Sequence, residues 1–206
     1  MIEIILLVSS ILFIFALKLF GRPSTAHRAN TFAMLAMALA VFSAFNFDFS
    51  KYDSAFYITI VVSGLLGVLI SKRVQMTQMP ELVGLFNGFG GGASGAIAYV
   101  ELSGNSLPLS DVFVAIFSMV IGIFTFSGSL VAVMKLRGKL NNFNKKLADI
   151  FSVFLPTIIL IPVVLEMDDL LIEFIILVSL IGGVIRVAVI GGADMPVVIA
   201  FLNSLS

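Results

Sequence analysis

The chain contains the stretch Met79-Pro80-Glu81-Leu82-Val83-Gly84-Leu85-Phe86-Asn87, and its pattern returns as Met195-Pro196-Val197-Val198-Ile199-Ala200-Phe201-Leu202-Asn203. In each stretch a proline stands where a helix can begin, because the first-turn N–H that proline lacks has no helical partner anyway. Two apolar turns then lead to an asparagine, a side chain that hydrocarbon tolerates only when something pairs with it. At about 1.5 Å per residue, both asparagines lie roughly 10 Å inside a membrane. Two polar groups at one depth predict a path through the bilayer.

The composition is that of an integral membrane protein. Of the 206 residues, 60% are hydrophobic and 12% are charged, whereas soluble domains carry about 25% charged residues. The 12 basic and 12 acidic side chains balance, which argues against nucleic-acid binding by simple electrostatics. The absence of cysteine excludes thiolate metal sites, disulfides and cysteine nucleophiles. The first apolar stretch lacks a basic n-region and a cleavage site, so it is predicted to be a retained span rather than a signal peptide.

Apolar runs separated by polar breaks predict an all-α fold, a polytopic transmembrane helix bundle with about seven full spans and an incomplete eighth. The predicted full spans are 2–20, 31–47, 54–71, 82–100, 112–134, 149–165 and 171–190. The eighth begins near Met195 and the sequence stops at Ser206, short of the roughly 20 residues needed to cross. The chain is therefore expected to end inside the membrane. Residues 1–206 are interpreted as one transmembrane domain, because no connection is long enough to hold a soluble domain.

The distribution of charge predicts the orientation. The connections after the first, third, fifth and seventh spans hold 11 of the 12 basic residues, and the positive-inside rule makes that side cytoplasmic. Nine acidic residues lie on the other side, with Lys51 as its only cation. The N-terminus is therefore expected outside, and both Met-Pro stretches enter the membrane from the cytoplasm.

Small residues form two stripes along the fourth span. One holds Gly84, Gly88 and Gly92, and the neighbouring one holds Asn87, Gly91 and Gly95. The stripes favour close helix packing, and they are also compatible with room around Asn87 for water or a moving helix. The run 88–93 fits the dinucleotide pattern G-x-G-x-x-A, but no strand precedes it and it lies in a span, so that interpretation is rejected.

The paired asparagines have two interpretations. They can be interhelical hydrogen-bond groups, typically worth about 1 kcal/mol. Alternatively, Asn87 and Asn203 can hold a chain of water or orient a neighbouring acid or histidine. Asparagine does not titrate, so neither residue donates a proton by itself.

Several charged residues have structural interpretations beside functional ones. Asp194 is placed to be the N-cap of the eighth span, with a second role facing the cytoplasm left open. Arg186 can extend to the interface or pair with Asp194, and Glu81 suits the positive end of a helix dipole. His27, the only histidine, is interpreted as a solvated loop residue. The sequence suggests no metal cluster and no catalytic triad, so no catalytic, metal-binding or cofactor-binding residue is predicted.

Four segments resemble the membrane part of the beta subunit of proton-translocating NAD(P) transhydrogenase. They are Val74–Val83, Phe126–Ala132 with Lys135–Lys139, Ile190–Val198 and Leu202–Ser204. The segments follow one another in order over nearly the whole chain. The resemblance implies direct hydride transfer between NAD(H) and NADP(H) on soluble domains, coupled to proton passage through the membrane domain.

The resemblance also implies roles for particular residues. Members of the family often carry histidine at the position of Asn87, and this chain resembles the branch with asparagine, in which a partner membrane subunit is expected to supply the histidine. Asn203 matches the proton-path asparagine of the family, and Asp194 matches an aspartate that communicates with the NADP(H)-binding domain. Arg186 and Glu81 are further candidates for that coupling.

The partners follow from the same resemblance. They are alpha subunits including a small membrane subunit, an NADP(H)-binding domain, and a second copy of the complex, within the inner membrane of a bacterium. NADP(H) and NAD(H) are expected on partner domains and not on this chain. The NADP(H)-binding domain is absent from the sequence, so hydride transfer by these residues alone is not expected. The chain is either a fragment or a subunit whose remainder is a second polypeptide.

Two other functions remain compatible with the sequence. A free-standing secondary transporter or ion channel could use the Met-Pro stretches and their asparagines as a duplicated gate. A passive assembly subunit could use its glycine stripes only for packing.

Overall fold

The structure, a computed structural model, describes residues 2–44, 52–104, 107–140 and 169–205. Its helices are α1 (Ile2–Phe20), α2 (Ala26–Ala44), α3 (Ser54–Arg73), α4 (Met79–Gly104), α5 (Leu109–Leu136), α6 (Asp169–Ala188) and α7 (Met195–Leu205). Short 3-10 turns precede α2, α4 and α7, at Pro23–Thr25, Met76–Gln78 and Gly192–Asp194. The chain divides into two compact units, Met1–Lys72 and Arg73–Ser206.

Four of the described helices, α1, α3, α5 and α6, are long and apolar enough to cross a membrane. This agrees with the predicted helical membrane bundle. The predicted spans 31–47 and 82–100 correspond to α2 and α4, which are not among those four, because a basic first turn and many glycines lower their hydropathy. The predicted span 149–165 lies outside the described residues. The count of seven full spans therefore stays a prediction.

Helix boundaries differ from the predicted spans where polar residues continue a helix. Helix α2 already begins at Ala26, so His27 lies exposed in its first turn rather than in a loop. Helix α4 extends to Gly104 and α5 begins at Leu109, both beyond the apolar runs. Hydropathy locates the part of a helix inside hydrocarbon, whereas backbone hydrogen bonding continues into the interface.

In the first unit, α1 and α2 form an antiparallel pair. The Ser9 hydroxyl of α1 donates to the carbonyl oxygen of Ala36 in α2 at 2.8 Å. Ala16, Ala29 and Ala36 are buried, because small side chains let the two backbones approach. Helix α3 has no buried residue.

In the second unit, α5 is the central helix. Helix α4 packs antiparallel to it, α6 runs parallel to it, and α7 packs on both α4 and α5. Two apolar clusters hold these helices together. The cluster near the end of α5 contains Val131, Ala132, Val187, Ala188, Met195, Ile199 and Leu202. The cluster nearer its start contains Ala98, Ile116, Met119, Val120, Ile172 and Ile175.

The α4–α5 contact depends on glycine. A Cβ atom added at Gly91 would lie 2.7 Å from the carbonyl oxygen of Gly122, and one added at Gly122 would lie 2.5 Å from the carbonyl oxygen of Gly91. The prediction of close helix packing is therefore confirmed. The buried glycines of α4 are Gly84, Gly88, Gly91 and Gly95, a face that mixes the two predicted stripes. These glycines are separated by four, three and four residues, and this spacing follows the 3.6-residue helical turn better than a constant spacing of four.

Candidate functional site

Asn87 lies on the buried face of α4 and is only 7% exposed. Its Nδ2 atom donates a hydrogen bond to the hydroxyl oxygen of Ser129 on α5 at 2.9 Å. The neighbouring Gly88 makes this possible, because a Cβ there would lie 3.2 Å from the Ser129 Cβ. The sequence pattern does not predict Ser129 as the partner of Asn87, since the pairing joins residues far apart in the chain. The available signal was the small, polar run Ser127-Gly128-Ser129 inside an apolar span.

Two buried polar atoms have no hydrogen-bond partner within the part of the chain that the structure describes. They are the Asn87 Oδ1 atom and the Thr125 Oγ1 atom. Thr125 lies one helical turn before Ser129 on α5 and contacts α4 near Gly91. An unpaired buried polar atom costs about 1–3 kcal/mol, and water is the usual partner for such groups. The contact between α4 and α5 therefore contains two polar atoms whose hydrogen bonding the described residues leave incomplete.

The structure brings the two predicted asparagines to one pocket between α4 and α7. This asparagine pocket, of about 620 Å³, is lined by Asn87, Gly90 and Ser94 of α4 and by Pro196, Ala200 and Asn203 of α7, among others. Of these two lining residues, Asn87 is buried and Asn203 is exposed. Carboxamides can both donate and accept hydrogen bonds. The pocket thus offers polar partners for water at a depth where the remaining lining is largely apolar.

The similarity of the two Met-Pro stretches extends into their 3-10 turns. Helices α4 and α7 begin at Met79 and Met195, each directly after a three-residue turn. The prolines therefore occupy the second helical position in both, where a missing N–H costs nothing. The turns differ in chemistry: reciprocal bonds between Gln75 and Gln78 close the first, whereas no side chain caps the second.

Asp194 and Arg186 are both exposed at the end of the unit where α6 stops and α7 starts. The expected N-cap role of Asp194 is wrong, because the 3-10 turn is led by Gly191 and has no side-chain capping bond. The alternative, an ion pair between Arg186 and Asp194, is also not observed. The one ion pair within the described part of the chain joins Arg137 to Glu81.

Glu81 is bound to a residue that the sequence analysis did not pair with it. Its Oε2 atom lies 2.6 Å from the Nε atom of Arg137, which follows the last turn of α5. The Glu81 side chain is 17% exposed and that of Arg137 is 47% exposed. A partly exposed pair contributes at most about 1 kcal/mol. Its structural effect is to join the start of α4 to the end of α5, beside the first Met-Pro turn.

Lys135, one of the basic residues assigned from the sequence to the connection after the fifth span, is buried. Its ammonium group donates hydrogen bonds to the carbonyl oxygens of Ala188, at the end of α6, and Ile190, in the following linker. The last carbonyls of a helix lack helical partners and carry partial negative charge. Lys135 therefore stabilises the end of α6 and fixes the start of the linker that leads to Asp194.

Lys135→Met is expected to destabilise the chain by about 1–3 kcal/mol, because it leaves buried carbonyl oxygens without a donor. The thermal unfolding midpoint in detergent measures the effect. Lys139→Met is the matched control, since Lys139 is exposed and exposed substitutions stay within about 0.5 kcal/mol. Equal midpoints for the two variants would show that the buried ammonium is not a structural cap.

A family model described as NAD(P) transhydrogenase beta subunit matches residues 2–206. The chain belongs to that family. Two relatives from Rhodospirillum rubrum, both named NAD(P) transhydrogenase subunit beta, are each 29% identical over 214 residues. The alignments cover 97% of this chain and 46% of each relative, so the chain spans about half the length of these curated relatives.

Membership in the NAD(P) transhydrogenase beta subunit family confirms the resemblance carried by the Met-Pro segments. The described residues do not form a nucleotide cradle at the glycine run, since Gly88–Ala93 lies inside α4, where backbone N–H groups are used by the helix. The part of the chain that the structure describes also holds no group of three or more metal-ligating His, Cys, Asp or Glu residues.

Proposed function

We propose that this chain is the membrane part of a proton-translocating transhydrogenase, in which proton passage is coupled to hydride transfer from NADH to NADP⁺ on soluble partner domains. The asparagine pocket carries this proposal. It joins Asn87 and Asn203, two polar residues from separate Met-Pro helices, in a unit whose helices α5 and α6 are apolar enough to cross a membrane.

The chemistry of hydride transfer indicates how a membrane unit can be coupled to it. Transfer of hydride from NADH to NADP⁺ moves two electrons and one proton together as H⁻, and it releases no proton to the solvent. Proton movement across the membrane is therefore not a product of the reaction. The coupling has to be conformational, which requires a part of the membrane unit that responds to the nucleotide-binding domain.

The proposed route passes through the asparagine pocket. Asn87 and Asn203 orient water there, and Ser129 holds the Asn87 amide in place through their 2.9 Å hydrogen bond. Because neither carboxamide titrates in the physiological range, the group that binds the proton has to come from elsewhere. We assign that group to a small membrane subunit of the alpha type, which contributes a histidine next to the pocket.

The coupling surface lies at the beginnings of α4 and α7. Asp194 in the 3-10 turn and Arg186 near the end of α6 are exposed charges, suited to meet an NADP(H)-binding domain. Glu81 is bound to Arg137 and couples the first Met-Pro helix to α5. A change at the Asp194 turn would move α7, and with it Asn203, relative to Asn87.

The proposed setting is the inner membrane of a bacterium, with the N-terminus outside and seven full spans preceding the Met195 helix. The partners are alpha subunits, the NADP(H)-binding domain and a second copy of the complex. NADP(H) and NAD(H) bind to those partner domains. The buried Lys135, whose ammonium donates to a carbonyl oxygen at the end of α6, then lies at the cytoplasmic end of the helices, as Asp194 does.

Reconstitution of the complete complex in vesicles tests the proposal. Addition of NADH and NADP⁺ is expected to form NADPH and to change the internal pH, and a protonophore should abolish the pH change while speeding hydride transfer. A complex that transfers hydride without moving protons would contradict the proposal. Ion or solute flux without any nucleotide would support the transporter or channel instead.

A further inference from the structure

Polar residues continue from the asparagine pocket along the rest of the α4–α5 pair. On α4, Asn87, Ser94 and Glu101 are spaced seven residues apart, and on α5 Asp111 and Ser118 are spaced by the same interval. Seven residues make two helical turns with a drift of only about 20°, so each set lies on one face of its helix. Because the two helices pack antiparallel, the end of the α4 set lies near the beginning of the α5 set.

A second pocket contains the far end of these sets. This carboxylate pocket, of about 490 Å³, is lined by Ser94 and Glu101 of α4 and by Asp111 and Ser118 of α5, among others. Ser94 also lines the asparagine pocket, so the two pockets meet at this residue. The distance along α4 from Asn87 to Glu101 is about 21 Å at 1.5 Å per residue, most of the thickness of a hydrocarbon core.

We propose that the carboxylate pocket is the outer half of the proton route, with Ser94 as the relay between it and the asparagine pocket and with Glu101 and Asp111 at its mouth. This inference rests on the proposed function. It assigns to this chain a route for water and protons. The membrane subunit proposed above supplies the remaining wall of the two pockets.

Ser94 has the geometry that a relay needs. Its hydroxyl donates a long hydrogen bond of 3.2 Å to the carbonyl oxygen of Gly90, so its oxygen remains able to accept from water. Gly90 lines the asparagine pocket and has open space around its Cα atom. Water there can reach the Ser94 hydroxyl, while the Asn87 Oδ1 atom next to the pocket is buried and has no partner among the described residues.

The mouth of the carboxylate pocket is negatively charged. Glu101 and Asp111 are both exposed, and Asp111 accepts a hydrogen bond from the Ser110 hydroxyl at 2.9 Å. On α6, Asp169 and Glu173 lie toward the same end without lining the pocket, and α7 contributes only Leu205. Carboxylates at a pore mouth raise the local concentration of cations, including hydronium.

Substitution of Ser94 in the complete complex tests the relay. Valine and threonine have nearly the same shape, so Ser94→Val removes the hydroxyl that Ser94→Thr retains. We expect Ser94→Val to slow proton pumping about tenfold and to raise the solvent deuterium isotope effect on turnover, whereas Ser94→Thr stays within about twofold of the wild type. A role in packing alone would affect both variants alike and would leave the isotope effect unchanged.

Neutralisation of the mouth gives an independent measurement. The double variant Glu101→Gln with Asp111→Asn is expected to pump about threefold to tenfold more slowly than the control Glu173→Gln, with the difference shrinking at high salt. If the wild-type complex pumps protons while Ser94→Val and the double variant pump equally fast, the outer route is wrong and the proposed function stands. A wild-type complex that pumps no protons contradicts both.

Discussion

Asn203→Leu is expected to slow proton pumping by the complete complex about tenfold or more, with hydride transfer falling in the same proportion because the two processes are coupled. Asn203 is exposed and lines the asparagine pocket together with Asn87. Leucine has the same number and branching of side-chain heavy atoms, but it can neither donate a hydrogen bond to water nor accept one. The pumping rate in vesicles, followed with a pH-sensitive dye, measures the effect.

Stability separates this loss of function from misfolding. An exposed leucine inside the bilayer is favourable, so the unfolding midpoint of the variant should match that of the wild type. Ser204→Leu is the control, because Ser204 is the adjacent residue and its hydroxyl donates to the Phe201 carbonyl oxygen of its own helix, its one bond within the described part of the chain. Normal pumping in Asn203→Leu would remove Asn203 from the route, and equal loss in the control would point to helix α7 as a whole.

The sequence predicted those features of the site that depend on local pattern. The Met-Pro repeat placed the starts of α4 and α7, because proline is tolerated in the first helical turn, and the structure has these helices begin at Met79 and Met195. Equal spacing from proline to asparagine then predicted equal depth. Asn87 and Asn203 line one pocket, whereas their depth in the membrane stays a prediction.

Pairings between distant segments could not be predicted. Ser129 and Arg137 are partners of Asn87 and Glu81, and each pairing depends on the register between α4 and α5. That register is set by which glycines touch, as at Gly91 and Gly122, and the two evenly spaced stripes in the sequence do not specify it.

Lys135 illustrates a second limit. A rule that counts lysines and arginines between spans treats each one as a charge in water. Lys135 instead lies in the last turn of α5 with its ammonium on carbonyl oxygens of α6 and its linker. Sequence patterns do not show that α6 ends beside this position, so the burial of the charge was not predictable.

Gly91→Ala is expected to destabilise the α4–α5 pair by about 3 kcal/mol, at the upper end of the usual cost of overpacking. The added Cβ would lie 2.7 Å from a backbone carbonyl oxygen of Gly122 and 2.8 Å from the Cβ of Thr125. Neither atom is the end of a flexible side chain, so the two helices have to separate. Separation also stretches the hydrogen bond between Asn87 and Ser129, which spans the same contact.

The adjacent residue provides the control for this prediction. A Cβ at Gly90 meets no atom within 4 Å, and alanine is favoured over glycine inside a helix by about 0.5–1 kcal/mol. Gly90→Ala should therefore leave the unfolding midpoint in detergent unchanged or raise it, whereas Gly91→Ala lowers it by several degrees. Because the two variants add the same methyl group one residue apart, helix propensity cannot account for opposite shifts. Equal midpoints for the two variants would mean that α4 and α5 do not touch at Gly91. The hydrogen bond between Asn87 and Ser129, which depends on that helix contact, would then be contradicted as well.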